Sequence, residues 1–408
     1  PTGSALHRHN APFMEEEAAS RQGSRALLLA ALFLAALNLR PALSSVSAEL
    51  TDIREELGLS GLAAGALTTL PVACMGLFAG LAAPLARRAG AERTIVVGLV
   101  LIGLASAARG HGIGPAAFFV VTLAIGLGIA VVQALAPPIV KAYFARSPGV
   151  PTGLFTVGIH VGALLGAALT VPIGELDGSW HAGVAVWGAL AVPAAVAWIV
   201  LGRRTALSLR DQPGASAEPT PPGDRGLTTQ VAIVFAAVSA GFYVPLAWLV
   251  AALEDTGLSE GSAVALFALF VGAQVPGAFL VPALARTPRA RGLLLAVLLA
   301  VSGTSLLFLG LATEWGTGVW AFALGFGLGA AFALALTLPV DHTPTPAQAA
   351  TLTGVAFTLG YIAAAIGPAV SGLLRDATGE TALPLAVLGA AVLVSVPIAL
   401  RLVRRLPR

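Results

Sequence analysis

The chain has 408 residues, of which 57% are hydrophobic and only 11% are charged, and its mean hydropathy is +0.88. Because soluble proteins carry about 25% charged residues, this composition excludes an ordinary soluble domain and indicates a polytopic membrane protein. The formal net charge of +3 does not indicate a nucleic-acid-binding surface, and a single cysteine, Cys74, excludes internal disulfides and cysteine-based metal sites.

Apolar segments long enough to cross a bilayer follow one another along most of the chain. Residues 1–25 are polar and lack the hydrophobic core of a signal peptide, so we expect a cytoplasmic tail there. Residues 203–228 are rich in proline, glycine and charge, which is typical of a linker. We therefore predict an all-α membrane protein with 12 transmembrane helices in two six-helix bundles, at 26–202 and 229–408. The predicted helices are 26–50, 61–86, 93–110, 115–141, 150–174, 181–202, 229–252, 261–285, 290–312, 316–340, 348–374 and 381–402.

The two halves resemble each other in sequence. Glu55–Ser60, before the second segment, matches Glu254–Ser259, before the eighth, at an offset of 199 residues. Further along, Thr152 and Gly153 match Thr353 and Gly354 at an offset of 201. A parallel internal repeat of this kind predicts a secondary transporter, whose substrate site lies between the repeats near the membrane midplane.

The basic residues predict the orientation of these helices. If both termini are cytoplasmic, 19 of the 23 lysine and arginine residues fall on the cytoplasmic side. Arg54, Arg109 and Arg375 then lie in outer loops, and Arg40 lies within the membrane. This distribution obeys the positive-inside rule. It predicts a multi-pass protein of a bacterial-type cytoplasmic (inner) membrane, which we expect to be a monomer in the lipid bilayer.

Arg40 lies deep in the first segment, which we expect to cross the membrane as one helix. A rise of ~1.5 Å per residue places it roughly 22 Å from Arg25, beyond the midplane. Inserting a guanidinium there costs about 2.5–3.5 kcal/mol, so it should face a protein interior or a wet cavity. We therefore hypothesise that Arg40 belongs to a solute pathway through a helical bundle. The alternative is a structural arginine that satisfies the carbonyls of neighbouring broken helices.

Other polar side chains inside the segments are few, and each is a candidate for contact with a small solute. His160 could contact the solute or relay a coupling proton, or it could join two helices through a hydrogen bond. Tyr243 and Trp248 fit a binding role and a packing role equally well. No carboxylate lies near the middle of a segment, so the sequence does not support proton antiport through a buried aspartate or glutamate. The lone buried cation, Arg40, favours an anionic or strongly polar solute. The candidates are Gln133, Thr156, His160, Tyr243, Trp248, Gln274, Thr358 and Tyr361.

The cytoplasmic ends supply candidates for a gate. Arg87, Arg88 and Arg93 flank the connection between the second and third segments, and Lys141 ends the fourth. Lys141 either contacts departing anions or anchors its helix at the membrane surface. The sequence contains no phosphate-binding Gly-Lys-Ser/Thr loop, no His-Glu-x-x-His and no Gly-x-Ser-x-Gly. We therefore expect neither an enzyme nor a protein with a cofactor or metal.

Several stretches resemble the cyanate permease/2-nitroimidazole transporter (CynX/NimT) family of the major facilitator superfamily. The most specific are Leu37–Ala42, which reads Leu-Asn-Leu-Arg-Pro-Ala, and Gly360–Pro368, which reads Gly-Tyr-Ile-Ala-Ala-Ala-Ile-Gly-Pro. Leu67–Pro71, Pro84–Arg93 and the region from Gly126 to Thr156 are also similar.

This resemblance implies a major facilitator fold and a small-molecule solute, either a cyanate-like anion or a nitroimidazole-like compound. It also implies that Asn38, Arg40 and Tyr361 are cavity positions. Arg87–Gly90 lacks the acidic residue that the superfamily usually has in this loop, so the resemblance does not supply the usual gating ion pair. A broad-specificity drug exporter and a membrane sensor that does not transport are the alternative functions.

Overall fold

A computed structural model describes residues 23, 25–204, 224–311, 316–380 and 382–406. The rest of the predicted tail and the linker residues 205–223 lie outside this part of the chain.

The described residues form helices and the turns between them, without strands. Eleven helices are long and apolar enough to cross a membrane, and a bent pair supplies the twelfth span. This confirms the predicted fold class. The helices are α1 (Arg25–Ala48), α2 (Gly61–Ala79, continued by Ala82–Ala89), α3 (Ala91–Ala108), α4 (Pro115–Phe144), α5 (Gly149–Asp177), α6 (Trp180–Gly202), α7 (Arg225–Asp255), α8 (Glu260–Leu284), α9 (Pro288–Gly310), α10 (Thr317–Ala335, continued by Leu338–His342), α11 (Pro346–Thr378) and α12 (Ala382–Arg404).

Helix α1 is interrupted, whereas we expected one continuous helix. Residues 38–40 form a turn, and the helix resumes at Pro41. Proline has no N–H to donate, and its ring clashes with the carbonyl four residues earlier, which here belongs to Leu37. On both sides of the break the chain uses the tighter bonds of a turn, such as Asn38 N–H to the Ala35 carbonyl at 3.1 Å. The break places Arg40 where the second half of the helix begins.

Helix α2 bends by 58° between Ala79 and Ala82. Pro84 explains the bend, because its ring would clash with the carbonyl of Gly80 in a continuous helix.

Close helix contacts recur at equivalent positions of the two halves. A Cβ built on Gly126 of α4 would lie 2.6 Å from Cys74 Cβ in α2. In the second half, a Cβ on Gly325 of α10 would lie 3.1 Å from Ala273 Cβ in α8. Gly325 and Ala273 each lie 199 residues after Gly126 and Cys74, so the sequence repeat corresponds to a repeat in helix packing.

The halves contact each other closely on one face, which we call the linker side because α6 ends and α7 begins there. On this side Gly149 of α5 lies against the Pro282 carbonyl of α8. A Cβ built on Gly354 of α11 would lie 3.5 Å from Gly80 Cα at the bend of α2. Two pairs of helices, α5 with α8 and α2 with α11, therefore cross here. Each pair joins the two halves, and glycines allow the backbones to approach closely.

Candidate functional site

A cavity with an empty volume of about 440 Å³ lies between the two halves. Helices α1 and α5 contribute from the first half, and α7, α8, α10 and α11 from the second. The lining residues are Arg40, Ile159, His160, Ala163, Val238, Ser239, Phe242, Tyr243, Gln274, Leu328, Phe332 and Tyr361.

Arg40 is the cation of this wall, and it is 8% exposed. Its Nη1 donates a hydrogen bond to the Tyr243 hydroxyl in the opposite half. The guanidinium carbon lies 5.8 Å from the centre of the Phe242 ring and 5.3 Å from that of the Tyr243 ring, within cation–π range.

Arg40 and Tyr243 occupy equivalent places in the two halves. Gly166 of α5 packs on Pro41, the residue after Arg40. Gly367 of α11 packs on the side chain of Val244, the residue after Tyr243. The first half therefore presents a guanidinium where the second presents a phenol hydroxyl.

Tyr361 forms a second link across the halves. Gln133 of α4, which is fully buried behind the wall, donates through Nε2 to the Tyr361 hydroxyl. The Tyr361 ring stands edge-on to Phe235 and Phe357, with ring centres 5.3 and 5.5 Å away. This aromatic packing fixes the direction of the hydroxyl.

Four buried polar atoms at or beside the cavity have no hydrogen-bond partner among the described residues. They are Asn38 Oδ1, Gln133 Oε1, His160 Nε2 and Ser239 Oγ. Because buried polar atoms are nearly always paired, the two of these atoms whose residues line the cavity, His160 Nε2 and Ser239 Oγ, are available to a polar partner there.

Not every predicted site residue reaches the cavity wall. Asn38 lies in the break of α1, where its Nδ2 donates to the Leu34 carbonyl at 2.7 Å. Thr156 bonds within α5, to the Thr152 carbonyl at 2.8 Å. The structure places Trp248 away from the cavity, because its indole N–H donates to the Pro368 carbonyl and so joins α7 to α11.

Thr358 also lies elsewhere, at the crossing of α11 with α2 beside Gly76. Gln274, in contrast, lines the cavity. Phe242, Phe332 and Ser239 line it too, although the sequence analysis did not select them. Their types occur throughout apolar helices, so only the tertiary structure could identify them.

Lys141 joins the two halves on the linker side. Its Nζ donates to the Val340 carbonyl at the end of α10, 2.7 Å away. The next residue, Asp341, is held by Arg291 through two hydrogen bonds, one of them 2.9 Å from Nε to Oδ2. Both side chains of this ion pair are almost completely buried. Lys141, a sequence candidate for a gate, therefore contacts the opposite half directly.

Arg87, Arg88 and Arg93 are exposed near the bend of α2 and the start of α3. The buried ion pair of the linker side is instead Arg291 and Asp341, in the second half. The sequence showed Asp341 at a helix end and Arg291 in a basic loop, but 50 residues separate them, and no local pattern indicated their contact.

Arg109 was expected in an outer loop but is buried, with 1% of its surface exposed. It donates to the Ala42 carbonyl of α1 at 2.6 Å and to Thr122 Oγ1 of α4 at 2.8 Å. It thus has the structural role that we had considered for Arg40. By holding Ala42, it also fixes the half of α1 that begins beside Arg40.

Chemically, the cavity combines one guanidinium, two phenol hydroxyls, a serine hydroxyl, an amide, an imidazole and two phenyl rings. No aspartate or glutamate of the described residues lines it. Such a wall can donate several hydrogen bonds to oxygen or nitrogen atoms of a small solute and can pack against a flat ring.

Comparison with known proteins agrees with this architecture. The family model of the Major Facilitator Superfamily matches residues 26–368. The 2-nitroimidazole transporter of Escherichia coli (strain K12) is 30% identical over 380 residues, which cover 91% of this chain and 93% of that protein. The cyanate transport protein CynX of the same organism is 31% identical over 228 residues, covering 55% of this chain and 58% of that protein. The uncharacterized transporter YycB of Bacillus subtilis (strain 168) is 36% identical, over 42% of this chain and 43% of that protein.

Solved structures share the fold at low sequence identity. The proton:xylose symporter XylE superposes with a TM-score of 0.74 at 12% identity, covering 93% of this chain and 96% of that chain. The transporter FucP, in an outward conformation, gives 0.67 at 14% identity over 92% of this chain and 99% of that chain. With the 12 apolar spans, the internal repeat and the cavity between its halves, these matches show that the chain is a multi-pass membrane transporter that belongs to the Major Facilitator Superfamily.

Proposed function

We propose that this protein moves a small anionic or strongly polar solute across the membrane by alternating access, and that Arg40 binds the solute. The observation that carries the proposal is the position of Arg40, a cation in the wall of a cavity between the two halves. Since no lining carboxylate of the described residues neutralises it, an acceptor-rich solute is the complementary ligand.

The aromatic residues of the wall restrict the chemical class of the solute further. Phe242 and Phe332 line the cavity together with Tyr243 and Tyr361. Oxygen atoms of a nitro group or a small anion would accept from Arg40, while a flat heterocycle would lie against the rings. The names of the E. coli relatives, a 2-nitroimidazole transporter and a cyanate transport protein, fit this chemistry.

Alternating access would proceed by rocking of the halves at residues 26–202 and 229–408. A smaller cavity of about 180 Å³ lies between α4, α5 and α10, towards the linker side. Lys141, next to its lining residue Val140, bridges to α10 beyond it. We propose that this smaller cavity is part of the route, that the helix crossings and Lys141 close it, and that the linker side is cytoplasmic in the bacterial inner membrane.

Counterflow into proteoliposomes tests the proposal. Vesicles with the purified protein are loaded with unlabelled 2-nitroimidazole, cyanate or nitrate, and uptake of the labelled form is measured against protein-free vesicles. We expect uptake of at least one of these solutes, with competition only from small compounds of the same kind.

The alternatives give different results in the same assay. Inhibition by many unrelated lipophilic compounds would support the drug exporter, which the four aromatic rings of the wall make the second candidate. Thermal stabilisation of the protein by these compounds without any flux would support the sensor.

A further inference from the structure

The two hydrogen bonds across the cavity share one arrangement. In each, a side chain of the first half donates to a tyrosine hydroxyl of the second: Arg40 to Tyr243, and Gln133 to Tyr361. The tyrosine oxygen therefore occupies the position in which a solute oxygen would accept a hydrogen bond. A tyrosine hydroxyl of the second half, which is neutral, therefore takes the place of the solute as hydrogen-bond acceptor.

The substitute acceptor contributes most to stability at Arg40, because an unpaired charged donor costs more than an unpaired neutral one. A guanidinium within the membrane is stable only if its donors are matched by protein, solute or water. When the halves close around a bound solute, the solute matches them. When they close without solute, the Tyr243 hydroxyl is the acceptor that the structure provides. Gln133 is neutral, so loss of its partner is less costly.

Whether Arg40 has an acceptor in the solute-free protein affects the rate of net transport more than the rate of exchange. Net transport requires the carrier to return without solute, whereas one-for-one exchange requires only crossings with solute bound. We propose that Tyr243 acts as a substitute ligand for Arg40 in the solute-free carrier, and so enables net transport instead of exchange alone. This inference rests on the function proposed above.

The test compares two fluxes of the same labelled solute, [14C]cyanate or 2-nitroimidazole, whichever the wild-type protein carries. Net efflux is measured into solute-free buffer, and exchange is measured with solute on both sides. For Tyr243→Phe, we expect the ratio of net efflux to exchange to fall about tenfold or more, the factor expected when a charged group loses one hydrogen bond.

Tyr361→Phe is the matched comparison. It removes the same atom from the same cavity but leaves a neutral amide unpaired, so its ratio should change far less than that of Tyr243→Phe. Ser305→Ala removes a buried hydroxyl that bonds within α9, to the Val301 carbonyl, and should leave both fluxes unchanged. Tyr243→Gln restores an oxygen acceptor and should recover part of the ratio; it also serves as the test variant if Tyr243→Phe does not fold.

Three results would overturn the inference. Tyr243→Phe could lower net efflux and exchange equally, which would make Tyr243 only a binding or structural residue. The two tyrosine variants could change the ratio equally, so that the charge of Arg40 would be irrelevant. The wild-type protein could exchange solute without any net flux. Each of these leaves the proposed function intact, whereas absence of both fluxes in the wild-type protein would overturn the proposed function and this inference together.

Discussion

Two buried arginines of the first half have opposite roles, and their hydrogen bonds distinguish them. The Nη1 and Nη2 atoms of Arg109 donate to the Ala42 carbonyl and the Thr122 hydroxyl, away from the cavity. Arg40 lines the cavity and bonds across it to the other half. From the sequence, Arg40 was expected within the membrane and Arg109 in an outer loop, because Arg109 lies at the outer end of its apolar segment. The distinction depends on packing between α1, α3 and α4, which local sequence does not report.

Arg109→Gln should therefore destabilise the protein. The shorter, neutral side chain cannot make both bonds, and the expected loss is about 2–4 kcal/mol for hydrogen bonds to a charged group. Thermal unfolding of the purified protein measures this loss of stability. Arg54→Gln removes an exposed arginine of the same side and should change stability by less than about 0.5 kcal/mol. Equal stability of the two variants would show that the Arg109 bonds contribute little.

At the scale of elements, glycines determine how closely the helices approach. The three glycines of α5 at 158, 162 and 166 pack against α1 on both sides of its break. Small residues spaced four apart lie on one face of a helix and let a neighbouring helix approach closely. Pro41 accounts for the break, whereas the length and apolarity of the segment had predicted one continuous helix.

Gly149→Ala tests the crossing of α5 and α8 on the linker side. A Cβ at this position would meet the Pro282 carbonyl, so the halves should separate there more often. In a Cys74→Ala background, Thr152→Cys reports on this side, because Thr152 lines the smaller cavity. We expect faster maleimide labelling of that cysteine when Gly149→Ala is added.

Gly272→Ala is the matched control in α8, because a Cβ there meets nothing within 4 Å. It should leave the labelling rate unchanged. Labelling that does not respond to Gly149→Ala would contradict the proposed closure at this crossing.

At the scale of the whole molecule, the sequence predicted the 12 spans, the repeat and a cavity with Arg40 between the halves. The number of spans followed from hydropathy, and the repeat followed from matched residues such as Thr152 and Thr353. Contacts between the halves could not be predicted in this way. Arg291 and Asp341, or Lys141 and Val340, meet only because the helices bring distant segments together.

Lys141→Gln should shift the balance between the two conformations of the transporter. It removes a charged donor from the only lysine of the chain, which bridges the halves on the linker side. We expect faster labelling of Thr152→Cys, by about threefold or more, since a hydrogen bond from a charged group contributes at least this factor. Arg401→Gln, which removes an exposed charge near the linker-side end of α12, should have no effect. If both variants label alike, Lys141 does not hold the halves together.

The central claim is that Arg40 binds the solute, and equilibrium binding to the purified protein tests it most directly. The dissociation constant of the transported solute is measured by isothermal titration calorimetry for the wild-type protein, Arg40→Ala and Arg54→Gln. Because charge-assisted hydrogen bonds are among the strong ones, we predict that Arg40→Ala weakens binding about tenfold or more, while Arg54→Gln binds as the wild type does. Wild-type affinity in a folded Arg40→Ala protein would contradict the account.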